Sequence, residues 1–402
     1  MNRKLVSTLT GIEYPFERIE EFADNGESLE VRTENTDKAQ IRKGNRLFQK
    51  YADFLPFKSI NEEISLGEEY TPLLRADKRL AEYSGISNLY LKNETLNPTW
   101  SFKDRGSFAC MLMSKEMGEQ TTATISTGNM GNSIAAYAAR AGIKAFVFVP
   151  EYTAKEKIMA MSIHGANVIK VKAPDYSEMK KEILSMAKDL KLRIVSGNGP
   201  IRVEGYKLAA LELYEQFHGK VPDYIAVPTS ACGHIRGIFK GFRELKEAGF
   251  IQKLPKMIVV QAENNAPIVK AIQEGKDDVI PFENFHTIAE AITTGNPMGG
   301  KEIIDKANKY NWLAASVNEE EIKAAHQSLA QSGLFVEPAS ATTLQAVKKL
   351  RKQEKIENDA HVVSMLTGSG LKDFSVFNEY DFATDEIPLN KLKEHLVRNF
   401  QK

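Results

Sequence analysis

The sequence predicts an α/β fold in which mainly parallel sheets are covered by helices. Short apolar runs rich in β-branched and aromatic residues recur along the 402-residue chain, and their length is typical of buried strands. Amphipathic stretches with a helical period lie between these runs. Because strand and helix alternate, the strands are expected to run parallel, with ligands bound in the loops that follow their carboxyl ends.

The predicted elements alternate over most of the chain. We predict strands at 123–125, 145–149, 168–171, 224–227, 257–261 and 362–366. Helices are predicted at 133–141, 177–190, 204–217, 235–248 and 319–332. The chain up to about residue 60 is richer in charge and poorer in strand signals, so we expect an N-terminal extension that packs on the main body.

Composition and charge exclude several classes of protein. The chain has 53 basic and 53 acidic side chains, so no net field attracts nucleic acid or anionic lipid, and a small-molecule partner is expected. Cys110 and Cys232 lie far apart without metal-site spacing, which favours a reducing cytoplasm over a disulfide scaffold. The N-terminus lacks the pattern of a signal sequence, and apolar runs of about five to eight residues are too short to span a bilayer.

The most informative motif surrounds a single lysine. Residues 97–106 read Asn-Pro-Thr-Trp-Ser-Phe-Lys-Asp-Arg-Gly and open a predicted helix, with Ser101 as its expected cap. Lys103 would lie at the positive end of the helix dipole, which with burial lowers the pKa of an amine that must attack an aldehyde. For an isolated lysine, a solvated surface position is the more common environment.

Three further loops each follow a predicted strand. Residues 126–132 combine two glycines with hydroxyls and amides, and residues 227–234 form a small-residue loop before a helix; both suit an anion at a helix N-terminus, and both also suit a structural turn. In residues 364–373, hydroxyls follow a buried strand. Cys232 and His234 invite interpretation as a catalytic dyad, but two residues so close in sequence need not face each other, and no orienting third group is evident.

Taken in order, these four stretches resemble the threonine synthase group of the tryptophan synthase β-like, or fold type II, pyridoxal-phosphate enzymes. The resemblance extends from about residue 70 to 373. The family pattern at the lysine is Asn-Pro-Thr-Gly-Ser-Phe-Lys-Asp-Arg-Gly, and this chain departs from it only at Trp100. Further similar landmarks lie at 202–205, 295–297, 337–341 and 367–373.

The resemblance implies an architecture of two three-layer αβα domains and a set of site residues. Expected bounds are 1–60 for the extension, 61–110 with 198–385 for the large cofactor-binding domain, 111–197 for a small mobile domain, and 386–402 for a C-terminal helix. Lys103 is implied to bond the aldehyde of pyridoxal phosphate. Implied cofactor-binding residues are Asn129 at the ring oxygen, Thr367 at the ring nitrogen, and Ser230, Ala231, Cys232, Gly233 and His234 at the phosphate. Implied substrate-binding residues are Ser126, Thr127, Gly128, Met130 and Arg202, the last at the substrate's phosphate.

Several positions depart from the family pattern. Trp100 replaces a glycine, and Met130 stands where a hydroxyl residue often contacts substrate; we expect both to narrow the substrate site. In the cofactor-phosphate loop only Gly233 of the usual glycines and asparagines is retained. The N-terminus resembles a zinc ribbon in which the four cysteine positions hold Ser7, Thr10, Phe22 and Asn25, so we expect no metal there.

The resemblance implies elimination and replacement on a small, phosphorylated amino acid, as in forming threonine from O-phosphohomoserine and water. A β-replacing or β-eliminating relative, similar to a cysteate synthase acting on phosphoserine or to a threonine or serine dehydratase, would use the same cofactor chemistry. A non-catalytic protein that keeps the fold as a binding module is a third possibility, against which Lys103, Asn129 and Thr367 argue together. A homodimer without nucleic-acid or membrane partners is expected.

Overall fold

The computed structural model describes residues 2–174, 176–283, 286–372, 374–380 and 384–400. Its strands, in chain order, are β1 (Arg3–Ser7), β2 (Glu13–Pro15), β3 (Leu29–Thr33), β4 (Leu73–Arg75), β5 (Asn88–Asn93), β6 (Thr121–Ile125), β7 (Lys144–Pro150), β8 (Asn167–Val171), β9 (Tyr224–Pro228), β10 (Lys256–Ala262), β11 (Leu313–Val317) and β12 (His361–Leu366). Three sheets contain these strands of the described chain.

Helices separate the strands almost throughout. The α-helices of the described chain are α1 (Leu47–Lys50), α2 (Lys78–Ser84), α3 (Lys103–Glu116), α4 (Asn129–Ala141), α5 (Lys155–Ser162), α6 (Tyr176–Asp189), α7 (Pro200–Tyr206), α8 (Leu208–Gln216), α9 (Gly233–Glu247), α10 (Pro267–Gln273), α11 (Gly300–Tyr310), α12 (Glu319–Gln331), α13 (Pro338–Lys352) and α14 (Leu392–Phe400). In this described part, no helix is long and apolar enough to cross a membrane.

A six-stranded sheet forms the centre of the larger core. Its order is β11-β10-β9-β12-β5-β4, and every neighbouring pair is parallel except β4 with β5. All five residues of β9 are buried, as expected for a strand covered on both faces. The predicted α/β class with mainly parallel sheets is thereby confirmed, and β12 and β9 bring two of the predicted loops to the same edge.

A smaller parallel sheet has the order β6-β7-β8. It lies with α4, α5 and α6 inside the range 111–197 that was predicted as the small domain. The expected boundary after residue 110 falls within α3, which continues to Glu116. The division into domains stays a prediction.

The N-terminal extension contains a sheet that its sequence does not reveal. Strands β2, β1 and β3 form an antiparallel sheet, although we expected few strands there, because strands of three to five residues show too little alternation to detect. Two buried cations of α9 fix this sheet to the main body. Arg236 donates to the carbonyl of Leu29 at 2.8 Å, and the amine of Lys240 donates to that of Val31.

Two of the four positions that resemble a zinc ribbon bind a carboxylate. Ser7 and Thr10 both donate their hydroxyls to Glu27, the latter at 2.8 Å, and the side chain of Asn25 accepts from the Glu27 N–H. Phe22 pairs with Ser28 in an isolated bridge. These contacts give the turn between β1 and β3 a hydrogen-bonded centre. Within the described residues, no cluster of three or more His, Cys, Asp or Glu side chains could hold a metal.

Three helix predictions require correction. The helix expected over 204–217 is two helices, since the chain tightens at Lys207, whose carbonyl accepts the N–H of Ala210 at 3.0 Å. Helix α4 begins at Asn129 rather than near residue 133. Ser101 is not the cap of α3: Phe102 is the N-cap, and Ser101 instead forms a β-bridge with Gly368.

Candidate active site

A cavity of about 1200 Å³ lies beyond the carboxyl ends of β6, β9 and β12. This is the edge at which the alternation of strands and helices predicted ligands. Almost every predicted site residue lines it, from all four motifs: Lys103, Ser126, Thr127, Gly128, Asn129, Met130, Ser230, Ala231, Cys232, Gly233, His234 and Thr367. Segments that are distant in sequence therefore meet around one space.

The loop that carries the lysine is fixed to the loop that follows β12. The Phe102 N–H donates to the Thr367 carbonyl at 3.0 Å, and the Ser369 N–H donates to the Trp100 carbonyl at 3.0 Å. The amine of Lys372 donates to the Thr99 carbonyl at 2.7 Å. These bonds hold the first turn of α3, and hence Lys103, against the end of the central sheet.

Asp104 ties the same loop to the smaller sheet's first helix. Its buried carboxylate accepts the N–H of Thr99 at 2.6 Å, the Thr99 hydroxyl at 2.5 Å and the Ser133 hydroxyl at 2.6 Å. Burial raises the pKa of Asp104, against these hydrogen bonds, which lower it. Because Asp104 directly follows Lys103, these bonds fix the position of Lys103 at the start of α3.

The amine of Lys103 is poised to be neutral near physiological pH. Burial, and after it the charge of Arg202, lower its pKa to about 7, against the opposing effect of Glu337. Lys372 also lowers this pKa. A neutral amine is the form that attacks an aldehyde or accepts a proton, so the environment matches the reactive role expected for this lysine.

The loop after β6 presents hydroxyl and amide groups to the cavity. The Ser126 hydroxyl accepts the N–H of Gly131 at 3.1 Å and shapes the turn into α4. Asn129 donates both available bonds of its amide to Glu337, at 2.8 and 2.9 Å. Glu337 therefore couples this loop to α13, and it is a cavity residue that the sequence motif at 337–341 contained without an assigned role.

The loop after β9 forms an open cradle of backbone donors. Cys232 has φ of +76°, and α9 starts directly after it. The N–H groups of Gly233, His234 and Ile235 donate to no residue of the described chain, so three donors of the first turn face the cavity end of the helix. A Cβ at Gly233 would collide with the Gly197 carbonyl, so glycine is required there.

His234 and Cys232 do not form a dyad. The His234 ring stacks on Phe102 with centroids 3.9 Å apart, and neither ring nitrogen has a hydrogen-bond partner among the described residues. Burial lowers the pKa of His234 to about 3, so the ring is neutral. The Cys232 thiol instead contacts the Ser230 carbonyl at 3.5 Å, and burial raises its pKa.

Thr367 also lines the cavity. Its hydroxyl is 3.0 Å from that of Ser340 on α13, and Ser340 also accepts the N–H of Thr367 at 2.9 Å. Thr367 is buried, and its hydroxyl is oriented by this pair of contacts. A ligand ring that filled the cavity would meet one hydroxyl here rather than a carboxylate.

Two expected substrate-site residues lie elsewhere. Arg202 is fully buried and outside the cavity wall, because α7 packs its side chain against α3, where it contacts the Lys103 carbonyl and the Tyr206 hydroxyl, both at 3.3 Å. Trp100 does not narrow the cavity: its φ of +65° turns the side chain outward, and half of its surface is exposed. This backbone conformation favours glycine, the family residue at Trp100.

Three charged residues stand out among the cavity residues that were not assigned a role from the sequence. Glu337 and Lys372 belong to sequence motifs that resemble those of the family but received no predicted role of their own. Glu21 comes from the N-terminal extension. Nothing in the local pattern around Glu21 indicates a site, since its contacts are with residues about 175 positions later in the chain.

Comparison with known proteins agrees with this arrangement. Residues 64–368 match the family of pyridoxal-phosphate dependent enzymes. A threonine synthase from Methanocaldococcus jannaschii is 39% identical over 326 residues, which cover 81% of this chain and 80% of that protein. One from a Bacillus species is 35% identical over 87% of this chain and 97% of its own.

The chain belongs to the threonine synthase family of pyridoxal-phosphate-dependent enzymes. Solved structures of the same fold include serine racemase from Dictyostelium discoideum, with a TM-score of 0.65 and 25% identity over 78% of this chain and 96% of that one. The predicted family, fold type and cofactor are thus confirmed, as is the assignment to lyase chemistry.

The cavity fits pyridoxal phosphate. A neutral lysine amine is available for the aldehyde. The N–H groups at the start of α9 have no partner among the described residues, so they can donate hydrogen bonds to a phosphate. The Asn129 amide, which is bonded to Glu337, and the Thr367 hydroxyl line other walls of the cavity. The altered loop sequence leaves the backbone donors in place, because they do not depend on the side chains.

Proposed function

We propose that the protein is a threonine synthase that converts O-phosphohomoserine and water into threonine and phosphate. The observation that carries the proposal is the meeting of Lys103 with the loop after β6 and the open N–H groups of α9 in one cavity. The identity of 39% to a protein named threonine synthase supports the choice of substrate.

Each wall of the cavity then has a chemical task. When bound, pyridoxal phosphate draws electrons from the α-carbon of the amino acid, which allows a proton and a leaving group on the side chain to be lost. We assign the carboxylate of the substrate to Ser126, Thr127 and Gly128, whose groups lie at the start of α4. We assign Asn129 to the ring oxygen of the cofactor, which would replace Glu337 as the acceptor of one amide hydrogen bond, and Thr367 to the ring nitrogen.

Lys103 is the proton carrier in this proposal. Its pKa of about 7 allows the Nζ atom both to accept and to return a proton at neutral pH, as transfers between neighbouring carbons require. When the cofactor is bound, a hydroxyl at Thr367 would leave its ring nitrogen largely unprotonated, which suits elimination and replacement better than transamination. Asp104 keeps the lysine in place and does not itself contact substrate.

A second candidate is elimination from an amino acid without a phosphate. Arg202, the expected phosphate ligand, lies outside the cavity wall, and Met130 supplies no hydroxyl. These two positions favour a dehydratase-like reaction on serine or threonine over the first proposal, whereas the sequence identity favours threonine synthesis. A panel of phosphorylated and free amino acids separates the two.

We also propose that the enzyme acts in the cytoplasm as a homodimer. Both cysteines are buried and free, which suits a reducing compartment. Leu371 and Phe374 expose more than half of their surfaces, which is compatible with burial against a second copy. Sedimentation equilibrium would measure the oligomeric state.

The test of the catalytic assignment compares two lysines of α3. Purified enzyme is incubated with O-phosphohomoserine, phosphoserine, serine and threonine, and products are identified by mass spectrometry. Lys103→Ala should lose all turnover and the visible absorbance of the bound cofactor. Lys115→Ala, an exposed lysine of the same helix, should retain both. Borohydride reduction should label Lys103, and a label on another lysine would contradict the assignment.

A further inference from the structure

Part of the N-terminal extension forms a wall of the catalytic cavity. Residues 18–24 and Gly26 line the same space as Lys103, although they precede it in the sequence. The extension contacts the turn at 196–199, which leads into α7, and a carboxyl oxygen of Glu21 there accepts the N–H of Ser196 at 2.7 Å. The extension is therefore close enough to influence the groups that bind the cofactor.

Asn198 is the residue of this turn that joins the extension to α9. Its side-chain amide donates to the hydroxyl of Ser28, which directly precedes β3, at 2.9 Å. Its side-chain oxygen and its backbone carbonyl both accept from the guanidinium of Arg236 on α9, at 2.7 and 2.8 Å. Asn198 is only 3% exposed and still lines the cavity. Both ends of one buried amide thus hold elements that are far apart in sequence.

Arg236 belongs to the first turn of α9. Its N–H donates to the Cys232 carbonyl at 3.1 Å and closes this turn, so the three N–H groups before it are the ones left open. Its guanidinium is fully buried, donates to the Leu29 carbonyl at 2.8 Å and forms an ion pair with Glu302 at 2.7 Å. These contacts fix the side chain, and with it the first turn of α9.

The turn at 196–199 also packs directly on the start of α9. A Cβ on Gly233 would lie 2.1 Å from the Gly197 carbonyl oxygen, so the backbone of the turn touches the first residue of the helix. A Cβ on Gly299 would lie 2.6 Å from the amide nitrogen of Asn198 and 2.9 Å from the Cβ of Cys232. Because these segments meet at such close range, a shift of the turn would move the open N–H groups.

We infer that Asn198 is a positioning residue that holds the open N–H groups of α9 in place for the cofactor's phosphate, and that the N-terminal extension thereby contributes to cofactor binding. The inference rests on the proposed function only in placing that phosphate at the start of α9. In this role the bonds to Arg236 fix the helix start, and the bond to Ser28 fixes Asn198. Donors that are ordered in advance bind an anion more tightly, because less ordering is needed on binding.

Two forms of the cofactor test this role. The full-length apoenzyme is titrated with pyridoxal phosphate and with pyridoxal, which has the same aldehyde and no phosphate, and absorbance records binding. Asn198→Ala should raise the Kd for pyridoxal phosphate by about tenfold, the effect of one lost hydrogen bond. The Kd for pyridoxal should stay within about twofold of the parent's, because pyridoxal has no phosphate to bind the N–H groups.

Ser28→Ala tests the contribution of the extension. It removes the partner of the Asn198 amide and leaves the bonds to Arg236, so the Kd for pyridoxal phosphate should rise by a smaller factor of about three. Added to Asn198→Ala, it should have no further effect, because both substitutions remove the same bond. Ser28→Ala also decides the question if Asn198→Ala does not yield folded protein.

Arg243→Met is the matched control. Arg243 also joins α9 to β3, through Glu30, but it does not line the cavity and lies about three helical turns from the open N–H groups. Both Kd values should match the parent's.

Three results would overturn the inference. One is an unchanged Kd for pyridoxal phosphate in Asn198→Ala. Another is equal weakening of pyridoxal phosphate and pyridoxal, because a general loss of structure affects both. The third is a parent enzyme that binds pyridoxal as tightly as pyridoxal phosphate.

The titrations also separate this inference from the proposed function, since neither requires substrate. If the parent does not convert O-phosphohomoserine, the proposed function fails, and the ratio of the two Kd values still decides the role of Asn198. If the parent converts it and Asn198→Ala leaves that ratio unchanged, the proposed function stands and the inference fails.

Discussion

Two buried arginines flank the reactive lysine, and their surroundings differ sharply. Arg105 donates to Glu94 at 2.7 and 2.8 Å and forms an ion pair with Glu212 at 2.9 Å. Arg202 has no carboxylate in contact; its Nη1 reaches only neutral oxygens at 3.3 to 3.5 Å, and Nε and Nη2 have no partner in the described chain. Both side chains are fully buried.

The difference separates a charge that stabilises the core from one that changes the pKa of the reactive lysine. Where a buried cation is fully paired, as at Arg105, its charge is compensated locally and the group contributes to a rigid core. Where it is not, as at Arg202, its field extends to neighbouring groups, and the pKa of Lys103 is lowered by it. Burial alone therefore does not reveal which arginine matters to the reaction.

The largest expected effect is the loss of the paired arginine. Arg105→Met leaves the carboxylates of Glu94 and Glu212 buried, with Lys92 the remaining cation against Glu212. We expect the free energy of unfolding to fall by about 3 to 5 kcal/mol, the usual cost of breaking a buried pair from one side. Urea denaturation of holoenzyme measures it. A loss as small as that of a surface substitution would show that the ion pairs of Arg105 contribute little to stability.

A smaller effect on stability is expected for the unpaired arginine. Arg202→Met removes a buried charge that has no ionic partner, so unfolding free energy should stay within about 1 kcal/mol of the parent. The same denaturation series provides the measurement. If this variant also weakens the binding of a phosphorylated substrate by about 2 to 4 kcal/mol, Arg202 must reach the substrate in another conformation.

The pH dependence of cofactor uptake tests whether the charge of Arg202 acts on Lys103. Apoenzyme should combine with pyridoxal phosphate faster as pH rises through about 7, because Lys103 is protonated and unreactive below its pKa and neutral above it. Arg202→Met removes a charge that lowers this pKa, so the midpoint should move to higher pH. Stopped-flow absorbance records both profiles, and coincident midpoints would show that Arg202 does not act on the lysine.

The smallest effect is expected outside the cavity. Trp100→Gly relieves a positive φ and removes a half-exposed side chain, so stability should change by no more than about 1 kcal/mol. Turnover should be unaffected, whereas Met130→Thr changes the cavity wall and should alter it. An equal effect of the two substitutions on kcat/KM would mean that Trp100 also reaches the site.

The sequence was most informative where chemistry depends on local order. The motif around Lys103 and the loops after β6, β9 and β12 are each continuous, and parallel strands bring such loops to one edge, so their meeting could be predicted. The direction in which individual side chains point could not be predicted from the sequence. The positive φ at Trp100 and the packing of α7 on α3 decide where Trp100 and Arg202 point, and neither leaves a periodic signal.

Long-range contacts set the other limit. The bond from Glu21 to Ser196 and those from α9 to the carbonyls of β3 join segments 175 and about 210 residues apart. Motif and periodicity act over tens of residues at most. The N-terminal extension therefore looked like a separate unit in the sequence, whereas the structure makes it a wall of the active site.

The attachment of β3 to α9 and α11 also bears on how the chain is synthesised. Leu29 and Glu30 leave the ribosome long before their partners: Arg236 and Arg243 lie more than 200 residues later, and Glu302, which pairs with Arg236 at 2.7 Å, about 270 later. At roughly 5 to 20 residues per second, the N-terminal strands must wait roughly 15 to 55 s for that surface. The first segment made can therefore dock only after about three-quarters of the chain has been synthesised, and its apolar face stays uncovered during that interval.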